Sequence, residues 1–209
     1  MIKTLLFFLG VFLSGLTFGQ FEGVISFSKI TPVDTTRYIY YVKGNHVRID
    51  EVAKKGSAPV GSFLVDLGSG YMVSLSPERK LFMEQKVKTP PATVGGKPLI
   101  TKPKEIKNIL GTPCKEYTVT NKDEEANITY YVGSNKCEFF PKLLKTLNRK
   151  DKLSLYYLLL KDIGDGFPFL AIQRNNEGKE VIRLEVTKFE AKTLEFPMFE
   201  IPKGYNKFQ

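Results

Sequence analysis

The stretch Arg37-Tyr-Ile-Tyr-Tyr-Val-Lys-Gly-Asn-His-Val-Arg-Ile49 carries the clearest fold signal in this chain of 209 residues. Bulky apolar side chains recur at every second position on both sides of Gly44-Asn45. A period of two is typical of a strand with one buried face, and a two-residue turn containing glycine joins neighbouring antiparallel strands. The stretch therefore predicts a β-hairpin.

Short runs with the same alternation occur before and after this hairpin, separated by turn residues such as Gly68-Ser-Gly70. Short strands at regular spacing favour an antiparallel sheet. The predicted strands outside the hairpin are residues 21–28, 63–67, 71–75, 80–84, 114–119, 127–132, 167–173, 180–189 and 199–202.

The apolar spacing changes from two to three and four between residues 138 and 161, which predicts a helix. Pro141 suits its first turn. A second apolar stretch, residues 153–160, is either a second helix or the end of the first. Alternating strands and an amphipathic helix are both satisfied by a two-layer packing, so we expect the helix to cover the concave face of the sheet. The apolar side of the helix carries Phe139, Phe140, Leu143, Leu144 and Leu147.

The first 19 residues have the pattern of a secretory signal peptide. Lys3 precedes an apolar run at residues 5–13, and small residues follow up to Gly19. The run is too short to cross a bilayer as a mature helix. We expect cleavage after Gly19 and a single mature domain, residues 20–209, without a transmembrane span. Its expected location is the periplasm, the outer membrane or the exterior of the cell.

The formal net charge is +9, but lysines alternate with acids over most of the chain, which favours a solvated surface. Residues 86–107 differ, because six lysines and four prolines accompany a single acid, Glu105. We predict an extended, exposed crossover there. It is either an ordinary soluble loop or a basic strip, from Lys86 to Lys107, that contacts an anionic envelope surface.

The chain has two cysteines, Cys114 and Cys137, and an exported compartment permits a disulfide between them. Counting outward from the acidic turn at residues 122–125 places Cys114 opposite the region of Gly133, a few residues from Cys137. A cross-strand disulfide is compatible with this register without being required by it. We predict that the disulfide forms.

The sequence lacks the residue patterns of common active sites. His46, the only histidine, follows a turn, so we expect it to face solvent and to have no catalytic role. No nucleophile elbow, complete phosphate loop or closed zinc site can be assembled. We therefore expect no enzyme activity, no metal and no cofactor. The chain also lacks the aromatic-basic motifs of nucleic-acid modules.

Several segments, taken in order, resemble one protein family. They are Phe21-Glu-Gly-Val-Ile-Ser26, Tyr41-Val-Lys-Gly-Asn-His-Val-Arg48, Leu64-Val-Asp66, Met72-Val-Ser-Leu-Ser-Pro-Glu-Arg-Lys80, Ile109-Leu-Gly-Thr-Pro-Cys114, Gly166-Phe-Pro-Phe-Leu170 and Phe199-Glu-Ile-Pro-Lys-Gly-Tyr205. Over nearly its whole mature length the chain resembles an uncharacterised family of exported Gram-negative domains of unknown function. That family is similar in layout to the LolA/LolB lipoprotein carriers.

The resemblance implies an α+β fold that is mainly antiparallel β, a curved half-barrel sheet with one or two covering helices. In the carriers the cavity between sheet and helices holds acyl chains, so the resemblance implies a non-enzymatic domain that binds a lipid or another lipophilic ligand. The alternative is an envelope protein-interaction or structural module without a small-molecule ligand. The expected cavity lining is Phe63, Val65, Val73, Leu81, Met83, Leu143, Leu144, Leu147, Phe167 and Phe169.

Overall fold

The computed structural model describes residues 19–54, 57–85, 90–101 and 105–208. Two helices, α1 (Phe139–Leu147) and α2 (Lys152–Tyr157), interrupt a long succession of strands. A single-turn 3₁₀ helix, Phe196–Phe199, lies near the C-terminal end. The strands are β1 (Gly23–Ile30), β2 (Thr35–Lys43), β3 (His46–Val52), β4 (Pro59–Asp66), β5 (Tyr71–Ser76), β6 (Leu81–Gln85), β7 (Leu99–Thr101), β8 (Ile106–Ile109), β9 (Thr112–Asn121), β10 (Ala126–Ser134), β11 (Gly166–Arg174), β12 (Glu180–Ala191) and β13 (Asn206–Lys207).

The described strands form one open, curved sheet, which confirms the predicted fold class. Its order is β13-β6-β5-β4-β3-β2-β1-β12-β11-β10-β9-β7, and β8 also pairs with β9. All neighbours are antiparallel except β13, which pairs with β6 in parallel. Two meanders, β1 to β6 and β9 to β12, are joined through the pairing of β1 with β12.

The register separates the side chains of the sheet into two faces. Tyr40 lies opposite Ile49, and Ile49 lies opposite Phe63, so these three side chains share a face. Helices α1 and α2 pack on this side, which we call the helix face. The alternation read from residues 37–49 therefore selects the face that forms the main core.

The helix pair begins and ends at residues suited to those positions. Asp151 is the N-cap of α2, and its carboxylate accepts a hydrogen bond from the backbone N–H of Ser154, as capping residues do. Asn148 ends α1 in the left-handed region, with φ of 45°. The predicted helical region therefore contains two helices. The apolar stretch at residues 153–160 belongs mainly to the second one, not to the end of the first.

Residues 194–208, which we call the strap, cross the other face of the sheet. Leu194 and Phe199 pack against Val24. Further along, Ile201 and Tyr205 contact an apolar group formed by Leu64, Val73 and Leu75. The sheet is therefore covered on both faces, by helices on one side and by the strap on the other, which we call the strap face.

A buried polar group anchors the strap. The Asp50 carboxylate is 3% exposed and accepts hydrogen bonds from Arg48 Nε at 2.8 Å and Ser62 Oγ at 2.6 Å. A second nitrogen of Arg48 donates to the backbone carbonyl of Met198 at 3.2 Å. A buried carboxylate needs such partners, because an unpaired charge away from water is costly.

Two secondary-structure predictions need correction or completion. Residues 199–202 were predicted as a strand, but Phe199 ends the 3₁₀ helix and the final strand, β13, lies at residues 206–207. The crossover was predicted to be extended and without strands, but it leads into two short edge strands, β7 and β8. Neither strand contains a proline, so the prolines of the crossover are compatible with both. The predicted signal peptide, apart from Gly19, and parts of the Lys86 to Lys107 strip lie outside the described residues.

Candidate ligand cavity

Helices α1 and α2 are held over strands β10 and β11. The hydroxyl of Tyr130 donates to the carbonyl of Leu153 at 2.8 Å, and the hydroxyl of Tyr157 donates to the carbonyl of Gly166 at 2.9 Å. Phe140 of α1 packs on Phe167 of β11, and the centroids of the two rings are 4.6 Å apart. We call β9 to β12 with these helices the filled half.

The other side of the helix pair does not close against the sheet. Between α1, α2 and the β4–β5 turn lies a cavity of about 680 Å³, which we call cavity 1. Its apolar lining is Leu144, Leu155 and Leu158. Ser69 and Gly70 border it on the sheet side. This volume lies within the range of small-molecule sites.

A second cavity, cavity 2, adjoins the first. It measures about 480 Å³ and lies over the helix face of β2 to β5. Asn148 and Arg149 border both cavities, so the two cavities adjoin at the C-terminal end of α1. We call strands β2 to β6 the hollow half. The apolar lining of cavity 2 is Tyr38, Ile49, Phe63, Met72 and Leu147.

The charged residues around the cavities are unequally distributed. Cavity 1 is bordered by two cations, Lys145 and Arg149, and by no acid among the described residues. Cavity 2 is bordered by Arg149, Lys150 and one carboxylate, Glu51. Cations at the C-terminal end of α1 interact favourably with the helix dipole, which gives them a structural role independent of any ligand.

Asn148 also attaches the crossover to the helix pair. Its side-chain oxygen accepts from the backbone N–H of Ala92 at 3.0 Å, and its side-chain nitrogen donates to the carbonyl of Pro90 at 3.2 Å. Pro91 and Ala92 consequently form part of the wall of cavity 1. One amide side chain thus satisfies two backbone groups and fixes a wall of the cavity.

A second attachment of the crossover lies at the β9–β10 turn. The amide nitrogen of Asn121, a residue 2% exposed, donates at 2.8 Å to the carbonyl of Gly95 and at 2.8 Å to the hydroxyl of Tyr156. That hydroxyl donates to the Glu124 carboxylate at 2.8 Å, and the Gly95 N–H donates to the same carboxylate. These two hydrogen bonds hold the pKa of Glu124 below its usual value.

Tyr40 differs from the other core tyrosines. It is 7% exposed, and its hydroxyl has no hydrogen-bond partner among the described residues. Burial raises its pKa to about 12, and the positive charge of Arg149 acts in the opposite direction. Tyr40 and Leu144 border a small space of about 70 Å³ beside the filled half. The buried side-chain atoms without a partner in the described chain do not include the Tyr40 hydroxyl, so water can reach it.

The structure places the predicted lining residues in several environments. Phe63 and Leu147 border cavity 2, and Leu144 borders cavity 1. Phe167 borders the small space at Tyr40. The side chains of Leu143 and Phe169 are fully buried in the core, and Val65 is 3% exposed on the same helix face. By strand register Leu81 and Met83 lie on the helix face near the open edge, where Met83 is 43% exposed.

Val73 does not belong with the other predicted lining residues. It is 1% exposed and packs with Leu64 and Leu75 on the strap face. The neighbouring Met72 occupies the position on cavity 2 that Val73 was expected to take. The sequence reading also missed Asn148 and Arg149, because their role depends on how the crossover packs rather than on a local pattern.

The predicted disulfide is not formed. Cys114 and Cys137 are free and fully buried in the same core. Cys114 lies directly opposite Gly133, so the register leaves Cys137 beyond the position that faces it. Each thiol instead lies 3.4 Å from a nearby backbone carbonyl, that of Thr112 or that of Asn135. Burial raises the pKa of the Cys114 thiol to about 11 and raises that of Cys137 further.

His46 is less exposed than expected. Its ring packs edge-on against Phe196 of the strap, with centroids 4.9 Å apart. It borders a cavity of about 330 Å³ on the strap face, together with Asp66 and Tyr71. The histidine therefore supports the position of the strap.

Among the described residues, no group of three or more His, Cys, Asp or Glu side chains is arranged to hold a metal ion. Within the same ranges, no helix is long and apolar enough to cross a membrane.

The fold and its cavities define an open antiparallel half-barrel with a helix-bordered internal space. The chain belongs to the family described as domain of unknown function DUF4412, which matches residues 21–205. This match confirms the recognition of a domain-of-unknown-function family from the ordered motifs. No curated protein matches the sequence.

Solved structures match the fold at low sequence identity. An uncharacterized conserved protein from Thermus thermophilus is 10% identical, with a TM-score of 0.51 over 90% of each chain. The MucA/MucB complex of Pseudomonas aeruginosa contains a chain that is 10% identical, with a TM-score of 0.44, and the match covers 85% of this chain and 54% of that one. An outer membrane lipoprotein-sorting protein domain from Vibrio parahaemolyticus is 10% identical, with a TM-score of 0.31 over 84% and 87% of the two chains.

Proposed function

We propose that this domain is an exported, non-enzymatic binding protein of the cell envelope, and that it holds a lipophilic ligand in cavities 1 and 2. The observation that carries the proposal is the unfilled space of about 680 and 480 Å³ between the helix pair and the hollow half. Both are half-open clefts whose volumes lie in the range of small-molecule sites. Apolar side chains border both cavities, which favours an apolar occupant.

The composition of the lining supports a ligand over an ordinary surface cleft. Leucines from both helices face cavity 1, and aromatic and aliphatic residues of four strands face cavity 2. Removing such side chains from water contributes about 25 cal/mol per Å² of apolar surface. A ligand with an apolar chain would gain this contribution without rearranging the filled half.

A Trp substitution at Leu144 tests the proposal. Leu144→Trp should place an indole in cavity 1 and prevent binding of a fluorescent fatty-acid probe, while the melting temperature changes little. Lys142→Trp is the matched control, because Lys142 lies on the same helix and is exposed. It should bind the probe as the parent protein does.

The result that contradicts the proposal is also specific. If the parent protein binds no probe and Leu144→Trp lowers the melting temperature strongly, the space is part of a solid core. Native mass spectrometry of protein purified from the envelope gives an independent measurement, because a retained lipid would add its own mass.

A second candidate function is protein interaction at the β7/β8 edge of the sheet. Three large apolar side chains are exposed there, with Leu99 at 67%, Ile106 at 69% and Leu110 at 55%. Exposed sheet edges pair readily with a strand of another chain. Replacing Ile106 by Lys should abolish a partner contact made there and leave probe binding unchanged.

Export is testable separately. The intact mass of protein recovered from the envelope should correspond to a chain that begins at Gln20 or within a few residues of it. A product that retains residues 1–13 would contradict cleavage of the signal peptide.

A further inference from the structure

We propose that the ligand is an anionic amphiphile whose apolar chain lies against Leu144, Leu155 and Leu158, and whose head group binds Lys145 and Arg149. This inference rests on the proposed function, since it names the chemical class of the ligand for the same cavities. The occupant is a molecule with one apolar chain and a carboxylate or phosphate at its end.

The charge distribution at cavity 1 carries the inference. Lys145 and Arg149 are the charged residues that border it among the described residues, so the potential at its rim is positive. Neither side chain takes part in an ion pair with a described carboxylate, so both charges are available to a ligand. An anionic head group would supply this charge partner.

The position of Arg149 links the charge to the apolar space. Arg149 borders both cavities, and its charge acts on the hydroxyls of Tyr38 and Tyr40 on the helix face. The cation therefore lies over the mouth of the hollow half. A guanidinium in this place can pair with both oxygens of a carboxylate or phosphate.

Acidic residues restrict where the head group can bind. Glu51 borders cavity 2, and Glu185 borders the small space at Tyr40. A carboxylate repels an anion at either position, so the head group should bind at cavity 1. The apolar chain of the ligand then extends along Leu144, Leu155 and Leu158.

Three probes of equal chain length test the inference: hexadecanoate, hexadecanol and hexadecyltrimethylammonium. Each is titrated at pH 8 below the concentration at which it aggregates, with displacement of a fluorescent probe as the readout. Hexadecanoate should bind about fivefold more tightly than hexadecanol, because two partly exposed ion pairs contribute to it. The ammonium compound should bind most weakly. High salt should reduce these differences by screening.

A double variant identifies the residues responsible. Lys145→Gln with Arg149→Gln should raise the Kd of hexadecanoate to that of hexadecanol and leave the Kd of hexadecanol unchanged. The control is Lys54→Gln with Lys203→Gln, which removes the same charge from two exposed lysines elsewhere. This control should bind all three probes as the parent protein does.

The outcomes separate this inference from the proposed function. Equal binding of hexadecanoate and hexadecanol, unaffected by the double variant, overturns the anionic head group and leaves a lipid-binding domain. Competition by inorganic phosphate alone, at the affinity of hexadecanoate, would show a free-anion site and overturn the amphiphile. Failure of all three probes to bind overturns both proposals.

Discussion

The filled half and the hollow half use the same kind of strand but differ in how completely the helices cover them. In the filled half, Tyr130, Phe167 and Phe169 are at most 3% exposed and belong to the core cluster that includes the helix residues. In the hollow half, Phe63 occupies an equivalent inward position yet remains partly exposed beside cavity 2. The two halves show that alternation alone fixes which side a residue faces, and that the covering layer decides whether the residue is buried.

The dimensions of the elements explain the difference. Helix α1 has 9 residues and α2 has 6, so the longer one extends only about 14 Å. The twelve strands of the main pairing order span roughly 50 Å across the sheet at about 4.8 Å each. Two short helices cannot cover that width. Hydrogen bonds of Tyr130 and Tyr157 hold α2 over the filled half, where Phe140 of α1 packs on Phe167, and the other half stays open.

The largest contrast should appear on removal of a large aromatic side chain from each half. Phe169→Ala should lower the free energy of unfolding by about 3–5 kcal/mol, because it leaves a cavity in a packed core. Phe63→Ala removes the same atoms from a side chain that already borders a cavity, and should cost about 1–2 kcal/mol. Urea unfolding measures the free energy of unfolding of both variants, provided that their m-values are equal. Equal losses in the two variants would show that the two halves are packed alike.

The next contrast compares neighbouring positions on one helix. Leu143 is fully buried, whereas Leu144 borders cavity 1. Leu143→Trp should destabilise the fold by about 1–3 kcal/mol through overpacking. Leu144→Trp should cost less than about 1 kcal/mol, since its added volume enters open space. Thermal melting of the two variants side by side gives the answer, and a larger cost at Leu144 would contradict an open cavity.

Removal of single hydroxyl groups should distinguish the halves on a smaller scale. Tyr130→Phe should cost about 1 kcal/mol, because the buried carbonyl of Leu153 loses its donor. Tyr40→Phe should leave stability unchanged or slightly raised, since the hydroxyl it removes has no partner in the described part of the chain. Chemical unfolding measures the pair. A clear loss at Tyr40 would indicate a hydrogen bond that the described contacts lack.

The smallest expected effect is a pH dependence at the strap. The side chain of Glu22 accepts from Lys43 and from the backbone N–H of Leu194, and these bonds lower its pKa from 4.5. A group whose folded pKa is lowered contributes stability above its unfolded pKa and loses it as the pH falls through the folded value. Stability should therefore decrease below about pH 4.5, and Glu22→Gln should flatten that part of the curve. An unchanged slope in the variant would assign the decrease to other carboxylates.

Much of the sheet could be predicted because its strands alternate. The error at Val73 has a definite cause. Tyr71, Val73 and Leu75 form the more apolar of the two alternating sets in β5, so the pattern assigns them to the main core. The strap covers Val73 and Leu75 instead, and Met72 faces the helices. Strands buried on both faces carry apolar residues in both sets, so period alone cannot choose between the two sides.

The charged and polar parts of the candidate site were less accessible to sequence reading. Lys145 and Arg149 lie at the C-terminal end of α1, where helices commonly carry basic residues. Their type and spacing therefore do not indicate a ligand. Asn148 matters because the crossover, more than fifty positions earlier in the chain, packs against it. A contact of that kind depends on tertiary packing, and no local motif specifies it.

The pairing of β1 with β12 has a consequence for how the protein folds. Gly23, at the start of β1, lies opposite Ala191, at the end of β12, so the ladder joins positions near the two ends of the described chain. A side chain at Gly23 would meet the carbonyl of Glu190, so the ladder is also closely fitted. Closing so long a loop is entropically unfavourable and slows folding. If the chain is exported from its N-terminus, as proposed, β1 has one edge unpaired until nearly all of the sequence has followed. We therefore expect slow folding, with β1 to β6 exposed to aggregation or to a chaperone in the interval.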